Sequence, residues 1–273
     1  MDVRAQPKSY WHADWCLSTM VTQKSDEGAR LSLPVHSNSV LTLRTRELAK
    51  TLRPFRARGS KVIRCQLCLL PAVHCLCADR PEPASTSAFC FLMYTGEAFK
   101  PSNTGRLIAD MASDNHAFVW DRTRPDPALL SLLNDHQYSP IVVFPRQYAA
   151  EERCIDLPSQ APGIAAGKKP LFVMLDGTWR EAKKMFKSPC LQNFPVLGIE
   201  SEQASAYRLR EAAHHYQLCT AEVGIAILRL NGEQGAAEIM QTYFAAFRRL
   251  YIAGKPAMLE RYGTGESAVQ LID

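Results

Sequence analysis

Short apolar runs alternate with amphipathic segments between residues 88 and 253. The apolar runs have the length of strands and lie at 88–94, 116–120, 140–145, 171–175 and 194–199. Apolar residues with helical spacing occur at 103–111, 126–135, 178–187, 220–230 and 236–253, while 81–87 and 146–169 are predicted to be a linker and an irregular loop. Strands that alternate with helices form parallel sheets with helices on their faces. The pattern therefore predicts an α/β fold, with a largely parallel sheet and flanking helices.

The clearest strand–turn–helix unit is the segment LFVMLDGTWREAKKMFK at residues 171–187. Its apolar run is typical of a strand buried on both faces, and the run breaks at Asp176 and Gly177. Thr178 and Glu181 have the spacing of a capping box, which predicts a helix start. Asp176 is therefore expected at the carboxyl end of the strand, the edge where open α/β sheets bind ligands. An Asp that only closes the turn is the alternative.

A basic helical segment precedes these elements, at residues 38–58. Between Arg44 and Arg64 the chain carries a single acid, Glu47. Charge of one sign over this length repels itself and suits a phosphate backbone, although a solvated helix face is the alternative. The basic residues that we expect to contact a nucleic acid are Arg53, Arg56, Arg58, Lys61 and Arg64.

Four cysteines form a CxxC and a CxC pair, at Cys65, Cys68, Cys75 and Cys77. Four thiolates complete a tetrahedral zinc shell and leave no open position, so the spacing predicts a structural zinc knuckle. Redox-active or free thiols are the alternative. His74 is expected to be a neighbour of the metal rather than a ligand.

Two further segments carry polar side chains near predicted helix starts. Ser102 or Asn103 is expected to cap the helix at 103–111. Asn103, Thr104 and Arg106 supply short donors and a bidentate cation, which suit a carboxylate or a phosphate, although a capped helix with a surface Arg is the alternative. The second segment combines arginines with a tyrosine, which suits phosphate binding and base stacking or, alternatively, an ion network at the rim of a site. Its residues are Tyr207, Arg208 and Arg210.

Composition places limits on the class of protein. The 273 residues suffice for one large domain or for one domain with appendages. No apolar run reaches the roughly 20 residues of a membrane span, and the first residues contain no signal-peptide core, so a cytoplasmic protein is expected. Nine cysteines, an odd number, argue against a secreted disulfide framework. The formal charge of +5 is mild, and a monomer is the expected oligomeric state.

The run DGTW at 176–179, followed by AKK at 182–184, resembles the signature of the DTW-domain family. These proteins are S-adenosylmethionine-dependent aminocarboxypropyltransferases that act on uridines in RNA. Three further stretches match in the expected order, namely the cysteine cluster at 65–77, NTGRL at 103–107, and SAYRLR at 205–210 with TAE at 220–222. The resemblance covers about residues 61–252. It implies a SPOUT-like core in which C-terminal loops form a knot around the methionine-derived cofactor.

The resemblance also implies a reaction and a set of site residues. The 3-amino-3-carboxypropyl group of S-adenosylmethionine would pass to N3 of a uridine in tRNA, with Asp176 as the catalytic residue. The residues expected to bind the cofactor are Asn103, Thr104, Gly105, Arg106, Leu175, Gly177, Thr178, Trp179, Leu218 and Thr220. The RNA would contact Tyr207, Arg208 and Arg210 together with the basic residues at 53–64.

Two positions depart from the family's usual pattern. The family typically holds a His-Pro pair and an acid before the NTGR segment, where this chain reads Tyr94-Thr95-Gly96-Glu97. No role for an imidazole is therefore expected. Cys219 stands in place of a capping Ser, which predicts a weaker cap, while Glu222 is expected to act first as a helix-start residue.

The expected organisation has four parts: an extension with the basic helix at 1–60, the zinc knuckle at 61–82, the catalytic domain at 83–255 and a tail at 256–273. Two other functions are compatible with these residues. One is a methyltransferase that uses the same cofactor at the same sheet edge, and the other is a non-catalytic, zinc-dependent RNA-binding protein. The density of polar residues at strand ends favours an enzyme, because binding alone does not need it.

Overall fold

The structure, a computed structural model, describes residues 37–51, 62–199 and 218–255. The helices in these residues are α1 (Ser39–Ala49), α2 (Gly105–Met111), α3 (Pro127–Leu133), α4 (Trp179–Phe186), α5 (Thr220–Leu230) and α6 (Gln234–Ala253). The strands are β1 (Ser85–Met93), β2 (Ala112–Val119), β3 (Tyr138–Val143), β4 (Cys154–Ile155), β5 (Lys169–Asp176) and β6 (Val196–Leu197). The α/β class predicted from the sequence is confirmed.

The strands form one sheet in the order β2-β1-β5-β3-β6-β4, and every neighbouring pair is parallel. The central strands β1, β5 and β3 are buried along most of their length because helices cover both faces of the sheet. Register pairs Met93 with Asp176, so the last residues of β1 and β5 lie side by side.

Each face of the sheet has its own hydrophobic core. Phe89, Phe91 and Phe172 point to the face that α1, α2, α5 and α6 cover. Cys90 and Val173 point to the opposite face, which α3 and α4 cover. The helix after β1 therefore lies on one face, and the helix after β5 lies on the other. Because β1 and β5 are neighbours, their carboxyl ends form a topological switch point, where open α/β sheets bind ligands.

Three segments differ from the sequence prediction. β1 begins at Ser85, inside the predicted linker, because the carboxylate of Glu233 accepts the amide hydrogen of Thr86 at 2.9 Å and satisfies this polar start. β2 begins at Ala112 rather than at residue 116, since an edge strand tolerates polar side chains. The segment 146–169 contains β4 and several 3-10 turns instead of an irregular loop.

The aromatic residues of α6 pack into the core, with Tyr243, Phe244 and Phe247 all buried. Two apolar side chains of the helical segments are exposed: Leu130 is 36% accessible and Ile239 is 43% accessible. Both lie at the margin of their helix stripe, where helical spacing alone does not separate covered from uncovered positions.

A buried polar cluster attaches α1 to the rest of the fold. The side chain of Asn38 caps α1 by accepting an amide hydrogen at 3.0 Å. Its Nδ2 donates to the carbonyl of Arg106 and to Asp110 Oδ1, both at 2.8 Å. Asp110 also accepts from Tyr243 Oη at 3.0 Å and pairs with Arg80 at 2.8 Å. One carboxylate therefore joins α1, α2, α6 and the residues that follow the cysteine cluster.

In the described part of the chain, no helix combines the length and the apolar character needed to cross a bilayer. The knot and the four-part division of the chain stay predictions. So do the monomeric state and the cytoplasmic location.

Candidate active site and metal centre

Asp176 is the last residue of β5 and lies at the carboxyl edge of the sheet, as predicted. Its backbone carbonyl accepts the amide hydrogen of Tyr94 at 2.9 Å, which joins the end of β5 to the residue after β1. The Asp176 side chain is 5% exposed and points to the same face as Phe172 and Met174. The helix start after it is also confirmed, since Glu181 accepts the amide hydrogen of Thr178 at 2.7 Å.

Two side chains from distant segments hold the carboxylate of Asp176. Asn103 Nδ2 donates to Oδ2 at 2.8 Å, and Thr220 Oγ1 donates to Oδ1 at 3.3 Å. Hydroxyl–oxygen hydrogen bonds are usually about 2.5–3.0 Å long, so the Thr220 contact to Oδ1 is a long one. Both partners are among the residues that the sequence predicted for this site.

Gly105 allows α2 to approach the carboxylate. A Cβ at this position would lie 2.6 Å from Asp176 Oδ2 and 3.3 Å from the Phe91 ring. Only glycine fits that approach without displacing the carboxylate or the helix. Asn103 Oδ1 also accepts the amide hydrogen of Arg106 at 3.3 Å, so one side chain orients both the helix start and Asp176.

Thr104 links α2 to α5. It is the N-cap residue of α2, where Ser102 or Asn103 was predicted, but its side chain does not cap that helix. Its Oγ1 accepts the amide hydrogen of Ala221 at 3.1 Å and so satisfies the start of α5 instead. The role of Glu222 at the helix start is confirmed, since its carboxylate accepts the Cys219 amide hydrogen at 2.8 Å. The Cys219 side chain accepts the Glu222 amide hydrogen in return, so a capping box is present, and the weaker cap predicted for Cys219 stays a prediction.

Glu97 is a site residue that the sequence analysis did not single out. It is 1% exposed, forms an ion pair with Lys100, and its Oε1 lies 3.5 Å from Asn103 Nδ2. Asn103 therefore stands between two buried carboxylates, those of Glu97 and Asp176. The resemblance to the DTW-domain family carried a signal for Glu97, because that family typically holds an acid in the loop before the NTGR segment.

Two predicted cofactor residues are directed to other partners. Arg106 is 1% exposed, and its guanidinium lies over the Phe247 ring of α6 at 4.7 Å. Trp179 stacks on Phe144 with ring centroids 5.4 Å apart, on the face that α4 covers. Their roles in cofactor binding stay predictions.

The other predicted site residues divide into described and undescribed positions. Those at or directly after the end of β5, at least partly accessible, are Leu175, Gly177 and Thr178, and Leu218 is partly accessible two residues before α5. Those outside the described residues are Arg53, Arg56, Arg58, Lys61, Tyr207, Arg208 and Arg210. Arg64 is described, and its Nη1 donates to the carbonyl of Leu69 at 3.1 Å.

The match of the DTW domain family covers residues 62–252, from the cysteine cluster to the end of α6. The chain belongs to the DTW domain family. Membership is consistent with an enzyme of tRNA modification and leaves the individual reaction open. No solved structure matches this chain.

The four cysteines of this DTW protein meet at one point. Their Sγ atoms all lie within 4.8 Å of one another, with Cys65 3.5 Å from Cys77 and Cys68 3.8 Å from Cys75. Zinc–sulphur bonds of about 2.3 Å in a tetrahedron place the sulphurs about 3.8 Å apart. The geometry therefore fits the predicted zinc ion, and His74 does not belong to the group.

The surroundings of the thiols also fit a metal. Burial raises the pKa of the Cys65 thiol, but the amide hydrogens of Cys68 and Leu67 outweigh that effect and lower the pKa to about 7. Burial raises the pKa of Cys68 and of Cys77. Zinc binds thiolates, so a bound cation would offset the cost of burying several of them together.

Gly105→Ala is expected to destabilise the protein by about 1–3 kcal/mol, because the new Cβ overlaps Asp176 Oδ2 and forces α2 or the carboxylate to move. Denaturant unfolding measures the loss. Gly235→Ala is the matched control, since its Cβ would meet nothing within 4 Å. That helical position is expected to gain up to about 1 kcal/mol. Equal stabilities of the two variants would contradict the close approach.

Proposed function

We propose that this protein is a tRNA-uridine aminocarboxypropyltransferase. It would transfer the 3-amino-3-carboxypropyl group of S-adenosylmethionine to N3 of a uridine and release methylthioadenosine. The observation that carries the proposal is the position of Asp176, which ends β5 at the switch point with its carboxylate held by Asn103 and Thr220. A carboxylate oriented at a ligand-binding edge suits a proton acceptor. Membership in the DTW domain family supports the same reaction.

The reaction forms one bond, breaks one bond and moves one proton. The N3–C bond of the product forms while the C–S bond of the sulphonium breaks, and the sulphur leaves as the neutral thioether of methylthioadenosine. Uracil N3–H is a weak acid, so its proton has to be removed for N3 to attack. We assign that role to Asp176, which either takes the proton or holds the uracil edge while water takes it.

The two oxygens of Asp176 suit different tasks. Oδ2 is held by Asn103 at 2.8 Å and keeps the carboxylate plane in place. Oδ1 has the longer contact of 3.3 Å with Thr220, whose hydroxyl is free to rotate about its own bond. Oδ1 is therefore the oxygen that we assign to the substrate.

The charge of this edge suits S-adenosylmethionine. Glu97 and Asp176 bring two buried carboxylates to either side of Asn103, and Lys100 pairs with the first of them. Both the sulphonium and the amino group of the cofactor are positive, and opposite charges attract strongly where water is excluded. The accessible positions Gly177 and Thr178 would contact the cofactor beside this pair.

The site also has to select the carbon that reacts. The chain methylene next to sulphur, rather than the methyl group, must face N3 in line. We expect Asn103, Thr104, Arg106 and Trp179 to shape this choice. Since its guanidinium packs on Phe247, Arg106 would act by positioning α2.

Product analysis tests the proposal. The purified protein, S-adenosylmethionine and tRNA are expected to yield methylthioadenosine together with an aminocarboxypropyl uridine, detected by mass spectrometry of the digested tRNA. S-adenosylhomocysteine with a methylated uridine would show a methyltransferase instead. No heat on titration with S-adenosylmethionine, combined with tight tRNA binding, would leave a non-catalytic RNA-binding protein. Either of these two results overturns the proposal.

A further inference from the structure

The outer face of α4, together with the C-cap residue Lys187, carries a stripe of four basic residues: Arg180, Lys183, Lys184 and Lys187. Residues three and four apart are neighbours on a helix, so the four side chains form one continuous stripe. The stripe lies opposite the side of α4 that packs into the core through Ala182, Met185 and Phe186. We call these four residues the α4 stripe.

Carboxylates do not neutralise the α4 stripe. Within residues 37–51, 62–199 and 218–255, none of its four side chains forms an ion pair. Glu181 is the one acid of α4, and it is engaged in capping the helix through the Thr178 amide. Like charges at these spacings repel one another, so an anionic partner would relieve the repulsion along the stripe.

Aromatic rings hold one member of the stripe in place. Lys183 Nζ lies 5.6 Å from the centroid of the Trp179 ring and 5.8 Å from that of the Tyr148 ring. The two rings pack edge to face at 5.4 Å, and Tyr148 is 41% exposed. Cationic side chains beside an accessible aromatic ring are the combination that binds single-stranded nucleic acids, where phosphates meet the cations and a base stacks on the ring.

The α4 stripe begins next to the candidate active site. Arg180 is four residues after Asp176, and the stripe extends along the helix for roughly 10 Å from there to Lys187. The first residue of the stripe therefore lies near the sheet edge at which β5 ends, on the face opposite to the one that the Asp176 side chain faces.

We propose that the α4 stripe binds the phosphate backbone of the substrate RNA next to the target uridine. The proposal rests on the proposed function for the identity of that RNA as tRNA. The position of the RNA-binding surface is argued from the charge of the stripe, its helical spacing and the placement of the Lys183 ammonium beside aromatic rings. That argument does not depend on the arginines at 53–64 and 208–210.

The test compares tRNA binding of the wild-type protein with that of a quadruple variant, Arg180→Gln, Lys183→Gln, Lys184→Gln and Lys187→Gln. Glutamine is a good helix former, so the helix should persist. Binding is measured by fluorescence anisotropy over a series of salt concentrations. Each lost phosphate contact is expected to reduce the slope of log affinity against log salt by about 0.7–0.9, and the variant should bind at least about tenfold more weakly at low salt. Thermal melting and titration with S-adenosylmethionine check that the fold and the cofactor site are intact.

A second quadruple variant controls for total charge. It replaces four basic residues outside the α4 stripe and outside the segments predicted to bind RNA with glutamine, at Lys168, Arg229, Arg249 and Lys255. Its salt slope is expected to stay closer to that of the wild type. Equal losses in the two variants, or an unchanged slope in the α4 variant, would overturn the proposal. So would an α4 variant that binds tRNA normally but no longer binds vesicles containing phosphatidylserine, which would assign the stripe to a membrane surface.

The outcome separates this inference from the proposed function. If the wild type releases methylthioadenosine and the α4 variant does so with the same kcat/KM for tRNA, the stripe is not the RNA site and the enzyme assignment survives. If the wild type binds tRNA through the stripe but yields no methylthioadenosine, the enzyme assignment fails and the binding surface survives.

Discussion

Asp176→Asn is expected to lower the turnover of tRNA by about 10²–10⁴-fold while the protein stays folded. The amide oxygen can accept from Asn103, and the amide nitrogen can donate to the Thr220 hydroxyl, so both contacts seen in the structure have a replacement. An amide is not a base at neutral pH, and the N3 proton would have no acceptor at this position. Release of methylthioadenosine at saturating cofactor and tRNA measures the loss, and calorimetric titration checks cofactor binding.

Two companion variants sharpen this result. Asp176→Ala leaves Asn103 Nδ2 with only its 3.5 Å contact to Glu97, so it should fold and bind cofactor but lose about 1–3 kcal/mol of stability along with turnover. Asp114→Asn is the matched control. Asp114 is also a hydrogen-bonded carboxylate of the sheet, and it accepts from Lys169 Nζ at 2.7 Å. It lies near the amino ends of β1 and β5, away from the edge that carries Asp176. It should turn over tRNA normally. Wild-type rates for both Asp176 variants would remove Asp176 from the mechanism.

Cys77→Ser is expected to abolish zinc binding and to destabilise the protein by more than about 4 kcal/mol, a size of effect typical of a lost metal site. The knuckle packs into the main core through Leu70 and Leu76, both fully buried, and Arg80 pairs with Asp110 of α2 at 2.8 Å. Loss of the metal should therefore loosen the core that α1, α2 and α6 share. Elemental analysis and thermal melting measure the two effects.

Cys154→Ser is the control for the zinc prediction. Cys154 lies on β4, is partly exposed, and does not belong to the group of four sulphurs. This variant should retain one zinc ion per chain and nearly the wild-type melting temperature. The redox or free-thiol alternative makes a different prediction for wild-type protein expressed with ample zinc. It would contain no zinc and would show four more reactive thiols than the quadruple variant Cys65→Ser, Cys68→Ser, Cys75→Ser and Cys77→Ser.

Access to Asp176 also constrains the mechanism. The carboxylate is 5% exposed, so a base that lies flat on the sheet edge does not reach it without a rearrangement of its cover. Thr220, the first residue of α5, is one part of that cover, since its hydroxyl donates to the carboxylate at 3.3 Å. The Asp176 variants therefore test a carboxylate that is buried in the protein without its substrates.

Local signals determined much of this protein without its structure. Some features depend only on residues a few positions apart, whose relative geometry the backbone itself limits. They are the capping box of Thr178 and Glu181, the cysteine cluster at 65–77 and the span of α5. The alternation of apolar runs and amphipathic segments determined the class of fold for the same reason, because each run has the period of one kind of element. The edge of the sheet at which Asp176 lies followed from that alternation.

Only the tertiary structure decided which side chains meet at that edge. Asn103 and Asp176 are 73 positions apart, and Thr104 serves the start of a helix 117 positions away. The burial of Glu97 and the direction of Arg106 towards Phe247 likewise depend on which face each helix covers. A one-dimensional pattern specifies which residues of an element are apolar, but the partner of each polar side chain is set by the packing of whole elements against one another.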